Sequence, residues 1–277
     1  MERILTLANN NMFNPRLILQ KDGRHPQILY LTTFLIYGII ALGWEIEITR
    51  YIITIVTCLI CQAVGIHFTT KKYNGLKSAL ITALSLCLMF KANLIITIIL
   101  AAVLSIGSKY FIRINNKHIF NPSNFGIIAT ILLTNDAWVS PGQWGSDALQ
   151  LFYLGIAGFF VLFRVGRINT SLSFLATFIG LQFTRQVIYM GWPVDHFFHS
   201  LTSGTLLLFT FFMITDPVTT PNAPKARIIW AGTIGVLAFL LTNWFYVHTA
   251  PLWALFIISP LTVLLNKIFI HKKFSWS

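Results

Sequence analysis

The chain has 277 residues, of which 56% are hydrophobic and only 10% charged, and its mean hydropathy is +0.72. This composition excludes a water-soluble globular protein and is typical of a polytopic membrane protein. The formal net charge of +12 does not indicate a nucleic-acid partner, because the basic residues lie in short segments between apolar runs, where they face anionic lipid head groups of the bilayer.

About ten apolar runs are long enough to span, or nearly span, a bilayer. Their approximate ranges are 28–44, 51–69, 76–90, 93–111, 123–139, 149–164, 170–190, 201–215, 228–247 and 251–270. Because the connecting segments are short, the sequence predicts an all-α protein with a single integral membrane domain over residues 1–277. Residues 1–25 form a polar N-terminal segment that leads directly into a full span, which does not fit a cleavable signal peptide.

The basic residues alternate in number from one connecting segment to the next. If the N-terminus is cytoplasmic, all of the 20 Lys and Arg residues except Arg50, Lys91 and Arg185 lie on or near the cytoplasmic side. The positive-inside rule therefore predicts that both termini are cytoplasmic.

The predicted spans divide into two halves of five, at about residues 26–139 and 149–270. An odd number of spans in each half inverts the second half relative to the first, and such repeats place functional sites near the midplane of the bilayer. The third run begins with Ser78–Leu80 and the eighth with Ser203–Thr205, so both have small-residue starts and similar lengths. The pattern favours two inverted five-helix repeats.

The segment from Leu201 to Pro221 reads LTSGTLLLFTFFMITDPVTTP. Its polar ends, Thr205 and Asp216, are separated by only about 16 Å at helical rise, roughly half the thickness of the hydrocarbon layer. We therefore expect at least one of these ends to lie inside the protein, beside a cavity, a cofactor or another broken helix.

Thr205 lies near the outer end of this run. A threonine early in a helix often caps the helix or bonds back to its own backbone. Alternatively, its hydroxyl carries a phosphoester-linked cofactor, which Ser203 and Gly204 allow to approach the backbone closely. Arg185, one span earlier on the same side, either reaches outward to the surface or faces an anionic group near Thr205.

Asp216 lies at the cytoplasmic end of the same run, directly before Pro217. It either caps the next turn or lines a membrane cavity that binds a cation or a proton. Asn121 and Asn124 flank Pro122 at the start of the fifth run, on the same side and with similar chemistry. These two helix ends, on the same face, are predicted to form paired walls of one site.

Other polar motifs have simpler interpretations. Cys58 and Cys61 are interpreted as buried small side chains rather than a metal or redox pair. His196 and His199 fit interfacial histidines better than haem or metal ligands. Trp144, in SPGQWG, is either an interfacial anchor or part of a ring-stacking lid. The sequence has no nucleophile–base–acid arrangement for hydrolysis, so no catalytic residue and no metal site are predicted.

Several segments carry a resemblance to a known family. Ser203–Thr205, followed by FFMITDPVTTP at Phe211–Pro221, resembles the membrane family that contains RnfD of the Rnf electron-transport complexes and NqrB of the sodium-pumping NADH:quinone reductase. Asp22–Gly38, Phe120–Ile127 (FNPSNFGI) and Ser140–Gly145 are closer still to the UnbU branch, which is found with enediyne biosynthesis genes.

The resemblance implies a ten-helix inverted-repeat fold similar to urea and ammonium channels, in a bacterial cytoplasmic membrane. It also implies a flavin mononucleotide that a flavin transferase attaches through phosphate to an outer threonine, which by position is Thr205. The family motif is Ser-Gly-Ala-Thr, whereas this chain has Ser-Gly-Thr. Thr202 and Ser203 are therefore alternative acceptors, and a non-covalent flavin, FMN or riboflavin, is the other alternative.

The function implied is that of a membrane redox subunit, which passes electrons through a flavin between partner subunits and an acceptor such as quinone, with coupling to ion transport as a further expectation. The residues expected to contact the flavin or line its site are Thr205, Ser203, Gly204, Arg185, Asn121, Asn124, Trp144 and Asp216. One alternative is a channel or carrier of the same fold without a redox centre. Another is a membrane anchor for a biosynthetic partner.

Overall fold

Helices occupy the apolar runs of the first half of the chain. The computed structural model describes residues 22–44, 48–69, 75–115, 117–140, 155–156, 158–160, 162–163, 165–201 and 204–274. The helices of the first half are α1 (Arg24–Ile40), α2 (Ile48–Thr69), α3 (Leu76–Met89), α4 (Ile95–Phe111) and α5 (Pro122–Leu133). Each overlaps a predicted run, and the protein is mostly helical as predicted.

Short antiparallel strand pairs join the ends of these helices. The paired strands are β1 (Phe90–Ala92) with β4 (Ala137–Val139), and β2 (Arg113–Ile114) with β3 (Lys117–His118). Lys91 lies opposite Trp138 in the first pair, and Arg113 lies opposite His118 in the second. The first pair thus connects the C-terminal ends of α3 and α5, and the second forms a hairpin between α4 and α5.

The second half contains more interruptions. Its elements are α6 (Ile168–Phe183) continuing as π1 (Thr184–Tyr189), α7 (Val194–Leu201), α8 (Gly204–Leu208) continuing as π2 (Phe209–Met213), α9 (Pro224–Asn243), α10 (Ala250–Ile258) and α11 (Leu261–Ile268). The predicted run at 149–164 lies largely outside the described residues, although those described between 155 and 165 are helical. Pro260 separates α10 from α11, and the two helices meet at a bend of 51°.

Some helices have the length and composition of a membrane span. Among the described residues, α2 and α9 qualify, and α10 with α11 adds a third if the bent pair forms one span. On α2, Ile52, Val56 and Ile60 are exposed at four-residue spacing, so one face of the helix is apolar and open to lipid. This is an integral membrane protein, and the ten-span repeat topology stays a prediction.

The short α8–π2 helix packs against helices from both halves of the chain. Phe209 on this helix contacts Phe174 of α6, with ring centroids 5.1 Å apart. Phe212 contacts Phe34 of α1 at 5.7 Å. The helix therefore packs against one helix from each half of the chain. Its length confirms the predicted short broken helix, and both of its ends are buried, as Thr205 and Thr215 are 8% and 3% exposed.

Candidate functional site

Thr205 lies in the first turn of α8 at the edge of a cavity of about 180 Å³. Its side-chain hydroxyl is buried and has no hydrogen-bond partner among the described residues. The cavity is enclosed by the C-terminal part of α6, π1, the end of α9 and the start of α10. Its polar lining residues, besides Thr205, are Gln182, Gln186, Thr242, His248 and Thr249.

Amide groups define the polar wall of this cavity, which we call the Thr205 cavity. The Oε1 of Gln182 accepts a hydrogen bond from Asn243 Nδ2 at 3.3 Å and another from Gln186 Nε2 at 3.4 Å. These contacts hold the Gln182 carbonyl in place and connect α6, π1 and α9. The cavity therefore offers a buried hydroxyl beside fixed amides, but it is smaller than the roughly 300–1,000 Å³ that is usual for small-molecule pockets.

The other residues predicted at the outer end are placed as follows. Gly204 is buried and begins α8. Arg185 lies in π1 with its guanidinium over the Trp244 ring, 5.0 Å from the centroid, and it is not one of the residues that line the Thr205 cavity. Ser203, Thr202 and Trp144 lie outside the described residues.

Asp216 follows the turn that ends π2. Its Oδ1 accepts a hydrogen bond from the backbone N–H of Val218 at 3.0 Å, and its carbonyl accepts from the N–H groups of Thr219 and Thr220. These contacts fit the predicted capping role. Burial raises the pKa of the carboxyl, although the neighbouring cations Lys109 and Lys117 oppose this shift. Asp216 therefore binds a proton at higher pH than an ordinary aspartic acid.

Asp216 and the start of α5 both line a small cavity of about 50 Å³, which we call the Asp216 cavity. Asn121 is one of the lining residues from the start of α5. Its Nδ2 donates to the carbonyl of Met213, the last residue of π2, at 3.2 Å. The structure thus brings together the two helix ends that were expected to face each other. Other polar residues of this lining are Arg24, Gln27, Ser78, Thr82, Ser85, His118 and Ser123.

The start of α5 is held by its own side chains. Asn121 Oδ1 accepts from Ser123 Oγ at 2.8 Å and from the backbone N–H of Asn124 at 3.2 Å. Pro122 in the first turn lacks an N–H that would need a partner. Asn124 is fully buried and does not line either cavity; instead, its Nδ2 donates to the carbonyl of Leu252 in α10 at 3.2 Å.

Basic side chains also contact the loop after Asp216. The sequence pattern did not identify these side chains as part of a site. Lys117 Nζ donates to the Thr220 carbonyl, and Arg167 Nη2 donates to the Pro217 carbonyl at 3.3 Å. The sequence placed these basic residues on the cytoplasmic side only as lipid-facing charges. In the structure, both stabilise the backbone of a buried loop, where carbonyl groups would otherwise lack partners.

An ion cluster lies beside the Asp216 cavity, and its member Arg24 is one of the lining residues. Asp22 contacts Arg24 at 2.7 Å and Lys77 at 3.1 Å. Burial alone would raise the pKa of Asp22, but hydrogen bonds from these two cations hold it well below the usual range. Asp22 is therefore ionised at neutral pH and neutralises part of the positive charge at this end of the protein.

The Thr205 cavity lies at the C-terminal end of α9, and the loop after Asp216 contacts its N-terminal end. Asn243, at the C-terminal end of this helix, bonds the Gln182 side chain of the Thr205 cavity wall. At the N-terminal end, Arg227 Nη1 donates to the Asn222 carbonyl of the loop after Asp216. A helix of 20 residues is about 30 Å long, close to the thickness of the bilayer hydrocarbon.

The cysteine and histidine pairs do not form a cluster. Cys58 is buried and Cys61 half-buried on α2, and both are free thiols. His196 lies on α7 against Trp192, with ring centroids 4.9 Å apart. Within the part of the chain that the structure describes, no three His, Cys, Asp or Glu side chains are grouped so that they could hold a metal ion.

Comparisons with known proteins identify similar sequences in one protein family. The sequence profile of the NQR2, RnfD, RnfE family matches residues 128–275, just over half of the chain. The chain is 38% identical over 71 residues to the D subunit of the ion-translocating oxidoreductase complex of Stutzerimonas stutzeri, covering 26% of this chain and 20% of that protein. It is 30% identical over 118 residues to the protein of the same name from Shewanella denitrificans, covering 41% and 33%.

A third relative of the same name, from Vibrio vulnificus, is 32% identical over 104 residues, which cover 37% of this chain and 27% of that protein. The matched regions therefore span between a fifth and a third of the length of these curated relatives. The match to the family profile includes the second half of α5 and all of the elements from α6 to α11, and so contains Thr205, Asp216 and all the residues that line the Thr205 cavity.

Proposed function

The chain belongs to the NQR2, RnfD, RnfE family. On this basis we propose that it is a membrane-embedded electron-transport subunit and that it carries a flavin at Thr205. It passes electrons across or along the membrane, between other subunits and an acceptor such as quinone. The names of its relatives, which describe subunits of an ion-translocating oxidoreductase complex, support partner subunits and a coupling to ion movement.

The buried Thr205 hydroxyl carries this proposal. A buried hydroxyl without a partner is unfavourable by about 1–3 kcal/mol, and Thr205 Oγ1 has none among the described residues. A phosphoester at this oxygen removes the unpaired donor. Gln186 and the other polar groups of the Thr205 cavity then offer partners for phosphate or ribityl oxygens.

The size of the Thr205 cavity limits what it can hold. At about 180 Å³ it fits the phosphate end of FMN better than a whole flavin, so the ring system would extend beyond the cavity. The flavin supplies one-electron and two-electron redox chemistry. The protein residues supply the attachment point, the orientation of the phosphate and a partly enclosed apolar surrounding from Phe178, Leu206 and Phe209.

The remaining finer assignments are parts of the same proposal. They are a ten-helix fold of two inverted repeats, cytoplasmic termini, a bacterial cytoplasmic membrane, membership of the UnbU branch and attachment of the flavin by a flavin transferase. Thr202 and Ser203 are alternative acceptors, and a non-covalent FMN or riboflavin is the alternative to attachment.

In-gel flavin fluorescence tests the attachment. The full chain is co-expressed with a flavin transferase, denatured and run as wild type, Thr205→Ala and Thr210→Ala. Thr210 is the matched control, because it is also buried on this helix but its hydroxyl donates to the Leu206 carbonyl. We expect fluorescence in the wild type and Thr210→Ala but not in Thr205→Ala.

Two other results would contradict this assignment. Fluorescence that survives in Thr205→Ala but disappears in Thr202→Ala or Ser203→Ala would move the attachment to that residue. A wild-type band without fluorescence, from protein that releases a yellow pigment on denaturation, would replace covalent attachment by tight binding.

The Asp216 cavity favours a second candidate, a channel or carrier of the same fold without a redox centre. Asp216 and Asn121 line this cavity, and the raised pKa of Asp216 suits a group that binds and releases a proton or exchanges it for a cation. Cation uptake into flavin-free proteoliposomes tests it. Uptake by the wild type that is lost in Asp216→Asn would support the carrier, and equal uptake by the two proteins would exclude it.

A further inference from the structure

A separate cavity of about 240 Å³ opens at the same end of the protein as Asp216. It lies between the β2–β3 hairpin, Asn222 and the end of α11 with the residues that follow it. We call it the basic cavity, because its ionisable lining residues are Lys117, His118, Lys267, His271 and Lys273. No carboxylate is among the described residues that line it.

The rest of the lining is apolar or neutral. Ile114, Ile119, Val263 and Ile270 supply an apolar surface beside the basic groups. The neutral polar residues are Asn115, Asn222, Thr262 and Asn266. A small inorganic anion needs only the cationic part of such a cavity, whereas a ligand with a charged head and an apolar body can contact both parts.

Hydrogen bonds to backbone and amide oxygens fix two of the lysines. Lys117 Nζ contacts Thr220 O and lies 3.2 Å from Asn222 Oδ1, and Lys273 Nζ lies 3.3 Å from Asn115 O. Burial lowers the pKa of Lys117 to about 8; Asp216 opposes this shift, and repulsion from nearby cations, including Lys273, adds to it. The basic groups therefore repel each other, and a bound anion would reduce this repulsion.

Exposed apolar side chains lie in and near the basic cavity, as is expected at the boundary between lipid tails and head groups. Phe111, at the end of α4, is 89% exposed, and Ile270, in the cavity lining, is 91% exposed. Such side chains are stable in contact with the edge of the hydrocarbon layer. The charge distribution predicts that this end is cytoplasmic, where a bacterial or other plasma membrane presents anionic lipids.

We propose that the basic cavity binds the phosphate group of an anionic phospholipid. Lys267 and Lys273 contact the phosphate, and the isoleucines contact the glycerol and the upper acyl chain. An anionic phospholipid and free inorganic phosphate both present a phosphate anion to the lysines. The apolar lining favours the lipid, because only the lipid has apolar groups that can contact it. This site is distinct from the Thr205 cavity and does not require a flavin.

Native mass spectrometry of the purified full chain in detergent tests the proposal. The delipidated protein, produced without a flavin transferase, is titrated with phosphatidylglycerol, phosphatidylcholine or inorganic phosphate. The site variant Lys267→Glu/Lys273→Glu is compared with Lys225→Glu/Lys272→Glu. These control lysines are exposed, lie at the same end and do not line the basic cavity.

We expect phosphatidylglycerol to bind the wild type and the control variant alike, and the site variant roughly tenfold more weakly, since each basic residue near an anionic lipid contributes measurably. Lys267→Arg/Lys273→Arg should retain binding. This would show that the site variant binds weakly because it lost its positive charges and not because it lost its fold. Equal loss in the control variant, or equal binding of phosphatidylcholine, would overturn the site. Inorganic phosphate that binds as tightly as the lipid would overturn the lipid as its ligand.

Discussion

Asn124 joins α5 to α10 through one buried side chain. Its Nδ2 donates to the Leu252 carbonyl, and the residue is fully buried. We expect Asn124→Ala to lower the free energy of unfolding by about 0.5–1.5 kcal/mol, because it removes a buried hydrogen bond between the two helices. Thermal unfolding in detergent, followed by the loss of monodisperse protein, measures this effect.

Asn135 provides the control for this prediction. It is exposed in the segment that follows α5, so Asn135→Ala should change the midpoint of unfolding little. Equal midpoints for Asn124→Ala and Asn135→Ala would show that the bond to Leu252 does not stabilise the contact between the two helices.

The partly buried Lys117 ammonium gives the stability of the protein a dependence on pH. Burial lowers its folded-state pKa from 10.5 to about 8, so between these values the unfolded chain binds more protons than the folded one. The contribution of Lys117 to stability therefore rises as the pH rises through this window. The difference in unfolding midpoint between wild type and Lys117→Gln should shift in favour of the wild type from pH 8 to pH 10.5.

The other basic groups titrate in both proteins, so their contribution cancels in the difference between wild type and Lys117→Gln. Glutamine retains an N–H donor for the Thr220 carbonyl but has no charge to lose. A difference in midpoint that stays constant across this pH range would contradict the lowered pKa of Lys117.

At the scale of elements, the contact between α4 and α5 depends on the absence of a side chain. A Cβ added at Gly126 would overlap Ser105 Oγ and lie 2.6 Å from the Ala101 carbonyl oxygen. We expect Gly126→Ala to separate the two helices and lower the unfolding midpoint strongly, because backbone atoms cannot move aside as a flexible side chain can. Detergent thermal stability and yield of monodisperse protein measure it.

Gly180 is the matched control for Gly126. It also lies within a helix, α6, but an added Cβ would meet no atom within 4 Å. Since alanine favours a helix over glycine by up to about 1 kcal/mol, Gly180→Ala should leave the midpoint unchanged or raise it. A tolerated Gly126→Ala would contradict the close approach of α4 and α5.

The short α8–π2 helix shows what the sequence could predict. The spacing of Thr205 and Asp216 along an apolar run is enough to predict a helix too short to cross a bilayer, since rise per residue is fixed. The change to π geometry at Phe209 was not predicted, because a π segment depends on how neighbouring side chains such as Phe174 and Phe34 pack against it.

One part of the candidate site was predictable because polar residues stand next to proline at a helix end. Asn121 and Asp216 carry that signal, and the structure places both in the lining of one cavity. Lys117 carries no such signal, because its contact with Thr220 joins residues 103 positions apart. The pairing of Lys91 with Trp138 in the β1–β4 ladder also joins residues far apart along the chain, so local patterns did not reveal it.

At the scale of the whole molecule, the length of α9 can be compared with the thickness of the membrane. This helix joins the Thr205 cavity to the loop after Asp216, and its 20 residues cover about the thickness of a bilayer. A flavin at Thr205 and a titratable Asp216 would place redox chemistry and proton exchange towards opposite sides of the membrane, about half the thickness of the hydrocarbon layer apart. The α8–π2 helix would then connect the two sites, because Thr205 lies at its start and Asp216 just beyond its end.

The orientation of α9 gives the last prediction. Lys225 lies exposed in its first turn, and Phe245 is 71% exposed just beyond its C-terminal end. Single cysteines at these positions are introduced into a chain whose three native cysteines are replaced by alanine. In intact cells, we expect a membrane-impermeant maleimide to label Phe245→Cys but not Lys225→Cys.

Labelling of Lys225→Cys should appear only after the membrane is opened, because the positive-inside rule predicts that this basic end faces the cytoplasm. The reverse pattern would invert the topology, moving Thr205 to the cytoplasmic side and the basic cavity to the outer side. Labelling of both positions in intact cells would mean that α9 does not cross the bilayer. Either result would remove the arrangement in which a flavin on the outside and Asp216 on the inside are connected by one broken helix.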